Sequence, residues 1–305
     1  MTETQSATYP DPVTEFDQLP ADREARIPWT TWLPYLLLSL VVTAIYYKVV
    51  GSLVMNWYTN PDFSHGFLVA PFAAFLLWDK RKVLRNTPIL QTWSGIWLVV
   101  AAIFVLFLGV YGAELFLSRL SLVMLLGGVV WTIFGRTFLR EVRFAILVLL
   151  LAIPIPAVIF NQVTFPLQLF ASRMASAILP LFGVPVLRDG NIIQLPALQL
   201  EVAEACSGIR SLMSLFAVAI FYGYFLEHST WRRVVLALAA LPIAVFANAA
   251  RIVGTGLCVQ YWNPDKAVGF FHEFSGWLMF LVSLSCLYVV HKLIHLKIPA
   301  SRTSQ

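Results

Sequence analysis

Apolar runs long enough to cross a bilayer recur along almost the whole chain, separated by short polar segments. A spanning helix needs roughly 17–25 apolar residues, and such runs fall at about 31–54, 93–111, 115–134, 143–160, 205–227, 234–257 and 273–291. An eighth, at 64–78, is shorter but has clear polar boundaries. Segment 162–183 departs from the pattern. It carries Arg173 and the internal prolines Pro166 and Pro180, and reads as an interfacial or re-entrant helix. After it, "VPVLRDGNIIQLPALQLEV" (184–202) shows partial alternation around Asp189-Gly190, a dipeptide suited to a tight hairpin. The expected fold is therefore an all-α polytopic membrane protein of about eight transmembrane helices, with a short extracytoplasmic β-hairpin and one interfacial or re-entrant helix. Residues 29–297 form the transmembrane domain, and 1–28 and 298–305 are tails.

Composition agrees. The chain is 59% hydrophobic and only 12% charged, with a mean hydropathy of +0.77, whereas soluble chains carry about 25% charged residues. The polar opening lacks the n-region, apolar h-region and small-residue cleavage site of a secretory signal, so segment 31–54 is expected to act as an uncleaved signal anchor.

The net charge of +5 reads as a topology signal rather than an affinity for nucleic acid, because basic residues collect in cytoplasmic loops. With a cytoplasmic N-terminus, inner segments hold Arg23, Arg26, Lys80, Arg81, Lys82, Arg85, Arg136, Arg140, Arg143, Arg232, Arg233, Lys292, Lys297 and Arg302, most of the 21 basic residues. "DKRKVLR" (79–85) is the strongest single marker. Both termini are then cytoplasmic and residues 184–204 lie outside.

Charged residues within apolar spans are costly and usually functional. "EVAEACSGIRSL" (201–212) sets Glu201, Glu204, Cys206 and Arg210 where a span begins. Counting back from inner markers, Cys206 lies 21 residues from Glu227, Arg251 lies 18 from Arg233, and His272 lies 20 from Lys292. At about 1.5 Å per residue each separation is close to the bilayer core thickness of about 30 Å. A thiol, a guanidinium and an imidazole thus reach one outer level on three spans. Cations and a helix N-terminus favour a nucleophilic thiolate, His272 can move a proton near neutral pH, and Arg251 can stabilise negative charge. These are the elements of acyl transfer by covalent catalysis.

Each residue alone has a plainer reading. Cys206-Ser207-Gly208 suits small-residue helix packing, Arg251 suits an interfacial snorkelling residue, and His272 suits a helix end. Ala249-Ala250 beside Asn248 suits close helix contact. Glu204, Cys206 and His272 lack paired metal-ligand spacing, so no metal and no cofactor is expected. Ser64-His65-Gly66 opens the second span, and His65, about 21 Å above the inner boundary, suits a structural or substrate-positioning role. His228, His291 and His295 read as interfacial residues of the inner side. Cys258 and Cys286 read as core, although a Cys206–Cys258 disulfide would abolish the nucleophile.

Four blocks in order resemble the exosortase/archaeosortase family of polytopic bacterial and archaeal membrane enzymes: "DFSHGFLVAPFAAFLLW" (62–78), "GNIIQLPALQLEVAEACSGIRSL" (190–212), "FANAARIVGTG" (246–256) and "FHEFSGW" (271–277). The resemblance covers roughly residues 30–295, and a His in the last block is similar to the bacterial exosortase branch. It implies a catalytic set of Cys206, Arg251 and His272, supported by Arg210, Glu204, His65, Ser64 and Asn248. It also implies a cysteine peptidase or transpeptidase of the bacterial inner membrane. The substrates implied are exported proteins with a tripartite C-terminal tail: a Pro-Glu-Pro-type motif, one spanning helix and a basic cluster. Water or a cell-surface acceptor amine would release the product outside the cytoplasm. With only a short stretch after the last span, the additional C-terminal domain that some exosortases carry is not expected. Two other classes compete. A transporter or flippase would line a pathway with its charges, usually with inverted repeats, and none is apparent. A membrane acyltransferase acting on polysaccharide or lipid would use the same thioester chemistry.

Overall fold

The computed structural model describes residues 33–202, 209–262 and 270–297. The elements, in order, are α1 (Leu33–Thr59), α2 (Gly66–Asp79), α3 (Arg81–Asn86), α4 (Ile96–Tyr111), α5 (Leu115–Val148) and α6 (Ala157–Ile178). Then come β1 (Leu187–Asp189), β2 (Ile192–Gln194), β3 (Gln199–Glu201), α7 (Ile209–Leu226), α8 (Thr230–Tyr261) and α9 (Phe270–Lys297). This is an all-α polytopic membrane fold with one small sheet. Among the described residues six helical stretches are long and apolar enough to cross a membrane, and α7 adds a shorter apolar one.

The chain divides into two compact units, Met1–Tyr47 and Lys48–Gln305. The described part of the first is the opening half of α1, whose side chains are mostly exposed and apolar. The second unit holds the rest of α1 and every later element.

Glycine and proline set where the helices bend. One helical stretch runs from Leu115 to Ala152, but Gly135 within it has φ 89°, so α5 consists of two limbs. The segment before α4 runs along the bend: Leu90 N–H donates to the Phe134 carbonyl and Thr92 N–H to that of Thr132, both at 3.2 Å. A Cβ at residue 135 would collide with the Leu90 carbonyl. The sequence placed a single span at 143–160. The chain instead leaves helix at Ile153–Pro156 and starts α6 at Ala157, since proline disfavours helix in the residue before it and cannot donate into a helix interior. Segment 162–183, expected as interfacial or re-entrant, belongs largely to α6. With its closing 3₁₀ turn that stretch covers Ala157–Phe182, 26 residues, and passes through Pro166.

The expected hairpin gains a third strand. β1, β2 and β3 form an antiparallel sheet in sequence order, with Arg188 opposite Ile193 and Ile193 opposite Leu200. The two-residue loop is Gly190-Asn191, one position later than the Asp189-Gly190 turn read from sequence. Gly190 carries the positive φ of 61° that the first position of a type II′ turn demands. Arg188 and Ser172 both donate to the Gly190 carbonyl, at 2.8 and 2.9 Å, which ties the turn to α6. The sheet buries one face: Ile193, Leu200 and Val202 pack with Ala171, Ala175 and Leu179 of the α6 stretch and with Ala249, Ile252 and Val253 of α8.

Two further cores complete the unit. Leu53 and Trp57 of α1 pack with Val69, Phe72 and Leu76 of α2 and with Ala145 and Val148 of α5. Leu212, Leu215 and Ala219 of α7 pack with Leu236, Ala240 and Ala244 of α8 and with Leu287 of α9. Helices in lipid gain little from burying apolar surface and associate through close packing of small residues, which the alanines of α7 and α8 supply. Cys258 is buried as expected. Cys286 is exposed on α9 rather than in the core, because its neighbour Leu287 takes the face of the helix that packs inward.

Candidate active site

The packing of α7, α8 and α9 gives each helix two chemically different ends. At one end the inner markers read from sequence come together. Lys80 pairs with Glu141 at 3.0 Å, Tyr224 donates to Asp79 at 3.3 Å, and Arg233 donates to the Glu227 backbone carbonyl at 2.7 Å. Arg140 and Arg143 line the same cavity as Asp79, Lys80 and Arg233. The candidate chemistry of Arg210, Arg251 and the start of α9 lies toward the other ends of these helices.

Arg251 sits on α8, half-buried, and its Nε donates to Oγ of buried Ser275 at 3.3 Å. Gly276 lies against the guanidinium, since a Cβ there would be 3.5 Å from Arg251 Cζ. Ser275 follows His272 by one helical turn on α9. The spans bearing Arg251 and His272 therefore adjoin. The side chain of His272 lies outside the described residues, as do Cys206 and Glu204.

The chain on either side of the undescribed stretch 203–208 is held on the same part of α8. Before it, buried Val202 packs in one cluster with Ala249, Ile252 and Val253, and its N–H donates to the Asn191 carbonyl at 3.0 Å. After it, Leu212 lines a cleft with Asn248, Ala244 and Val245 of α8 and Thr164 and Gln168 of α6. Asn248 is one turn from Arg251, and Leu212 is one turn from the start of α7. Three elements thus converge on the turn of α8 that carries Arg251.

A family model for the transmembrane exosortase matches residues 57–289, well over half the chain. The chain belongs to the transmembrane exosortase family. No curated protein and no solved structure matches it. The boundaries of the match enclose every residue that the sequence singled out for the exosortase site.

The remaining candidates of this exosortase take distinct places. Arg210, in the first turn of α7, forms an ion pair with Asp62 at 3.6 Å, its side chain 57% exposed. Asp62 went unread in the sequence, although it opens the "DFSHG" block. It lies in a short 3₁₀ turn, Pro61–Phe63, capped by Asn60, whose side chain accepts from the Asp62 N–H at 3.0 Å. This turn docks on α7 and so carries Ser64 and His65 with it. Ser64 donates locally to the Pro61 carbonyl at 2.9 Å. His65 is 4% exposed and its Nε2 lies 3.0 Å from the Leu151 carbonyl. A carbonyl only accepts, so Nε2 carries the proton. Next to it Trp57 Nε1 donates to the Ala152 carbonyl at 2.8 Å. His65 and Trp57 thus satisfy two backbone carbonyls just before the Ile153–Pro156 break, which is a structural task. Ser275 also escaped the sequence reading; its signal was its place between His272 and Gly276 in "FHEFSGW".

Proposed function

We propose that this exosortase is a cysteine peptidase or transpeptidase acting on Pro-Glu-Pro-type C-terminal sorting tails of exported proteins. The observation that carries the reading is the convergence on the Arg251 turn. Val202 and Leu212 flank Cys206 in sequence and both pack beside that turn, and Arg251 itself bonds one turn from His272.

In this reading the thiolate of Cys206 attacks a peptide carbonyl carbon near the tail motif, and Arg251 stabilises the oxyanion. The C–N bond breaks, His272 gives its proton to the leaving amine, and a thioester remains on Cys206. His272 then takes a proton from water or an acceptor amine, which attacks the thioester and restores the thiol. Basic residues gathered at the opposite ends of the helices support cytoplasmic termini and an extracytoplasmic site in the bacterial inner membrane. The tail's own helix would lie in lipid beside the enzyme. Glu204 and Arg210 would orient the site. Asn248, in the cleft between α6 and α8, would contact the tail.

Co-expression with a tailed substrate tests the reading. Cys206→Ala, Arg251→Ala and His272→Ala are each expected to abolish processing while the protein still inserts and purifies. Normal processing by Cys206→Ala would overturn the nucleophile.

A further inference from the structure

The end of the bundle away from Arg251 holds a second polar cluster, which the proposed chemistry does not use. Glu227, immediately after α7, is 2% exposed. Its Oε1 lies 3.0 Å from His291 Nε2 and 2.6 Å from His295 Nε2. The two histidines stand one turn apart on α9, on one face of the helix. Arg232 NH1 reaches Glu227 Oε2 at 3.6 Å and His295 Nδ1 at 3.3 Å. The Tyr222 hydroxyl lies 2.6 Å from His291 Nδ1.

We propose that Glu227, His291 and His295 form a binding site for a divalent transition-metal ion, with zinc the best match. Three ligand atoms from these residues lie within 4.8 Å of one another. Two imidazole nitrogens and one carboxylate oxygen are a zinc donor set that leaves a fourth position open. Calcium and magnesium require mostly oxygen ligands, which the cluster lacks. Zinc–ligand bonds of about 2.0–2.2 Å in tetrahedral geometry separate the ligands by about 3.3 Å. His291 is already near that distance from Glu227 Oε1, and His295, at 2.6 Å, must move away from the carboxylate to admit the ion. Its side chain is 44% exposed and free to do so.

The surroundings fit the ion. In the structure His291 Nε2–H faces the carboxylate; on metal binding that proton leaves, and the Tyr222 oxygen, 2.6 Å from Nδ1, would then accept from Nδ1–H, which is how an outer partner fixes a ligating imidazole. Arg232 on Oε2 leaves Oε1 to the ion, and its contact with His295 Nδ1 is given up when that nitrogen takes the proton. A bound ion would tie the α7–α8 junction to α9. The site stands independently of the peptidase reading.

The test uses untagged full-length protein in detergent, stripped with a chelator and titrated with Zn²⁺, with bound metal measured after gel filtration. A Cys206→Ser background excludes the thiol as a ligand. One equivalent is expected in the parent and in Cys206→Ser. Glu227→Gln and the His291→Gln/His295→Gln double variant should lose at least tenfold in affinity. Tyr222→Phe keeps all three ligands, so it serves where those variants fail to fold; it should weaken binding about 10–100-fold. No retained zinc in the parent, equal zinc in the double variant, or an unchanged affinity in Tyr222→Phe would each overturn the proposal.

Discussion

Arg251 and Ser275 join α8 to α9 through a 3.3 Å hydrogen bond from Nε to Oγ. The bond uses the inner nitrogen of the guanidinium and leaves the direction of its outer NH groups set by the same contact. A Cβ added at Gly276 would meet the planar group at ordinary van der Waals distance.

That packing predicts a graded series. Gly276→Ala should process a tailed substrate nearly normally, because its Cβ fits at 3.5 Å. Gly276→Leu should push the guanidinium aside and lower processing about 10²–10³-fold, the usual cost of losing one oxyanion donor. Arg251→Lys should fall as far, since an ammonium cannot reproduce the planar fork. Initial rates in proteoliposomes measure all three. Full activity of Gly276→Leu would show that the position of Arg251 does not matter.

The Asp62–Arg210 pair is long and its arginine exposed. Exposed pairs contribute about 0–1 kcal/mol, so a double-mutant cycle of Asp62→Asn and Arg210→Gln should give a coupling below about 1 kcal/mol in unfolding. A coupling of several kcal/mol would mean that the pair is far better shielded than its exposure indicates.

His65 separates structure from catalysis. Replacing it with Ala strips the Leu151 carbonyl of its donor, and an unsatisfied buried acceptor costs about 1–3 kcal/mol. His65→Ala should therefore lower the Tm, and His65→Gln, which still carries an N–H donor, should restore much of it with processing retained. A stable His65→Gln protein without processing would instead assign His65 to proton transfer.

Gly135 is held at φ 89°, and a Cβ added there would collide with the Leu90 carbonyl. A backbone at φ 89°, ψ 172° lies in a region essentially reserved for glycine and costs another residue about 1–3 kcal/mol, and the added methyl must also displace Leu90. Gly135→Ala should destabilise by at least about 2 kcal/mol, read from reversible unfolding in mixed micelles. A Tm equal to that of the parent would mean that the two limbs of α5 can straighten.

Much of the architecture was legible in sequence because lipid imposes it locally. Runs of apolar residues must be helical to satisfy their backbone, and α1, α4, α8 and α9 follow the expected segments closely. Ends and breaks were harder. The pair Pro154 and Pro156 outweighed hydropathy and moved a helix start to Ala157, and the bend at Gly135 depends on a carbonyl from residue 90. The sheet's third strand was hidden because Gln199–Glu201 is too short to show alternation. Pairings across the chain were least visible. His291 and His295 read as interfacial residues, yet they surround buried Glu227, and Asp62 gave no sign of meeting Arg210.

From its sequence alone this protein is a multi-pass membrane chain of the exosortase pattern, with Cys206, Arg251 and His272 counted to a common level. The multi-pass reading and the common level follow from hydropathy and helical rise, which are properties of single segments, and the exosortase pattern follows from the resemblance of four sequence blocks. Which side chains meet was decided only by the fold: Ser275 and Gly276 at Arg251, the Leu151 carbonyl at His65, two histidines at Glu227. Such contacts depend on the relative rotation of neighbouring helices, which side-chain packing sets and a linear pattern does not encode.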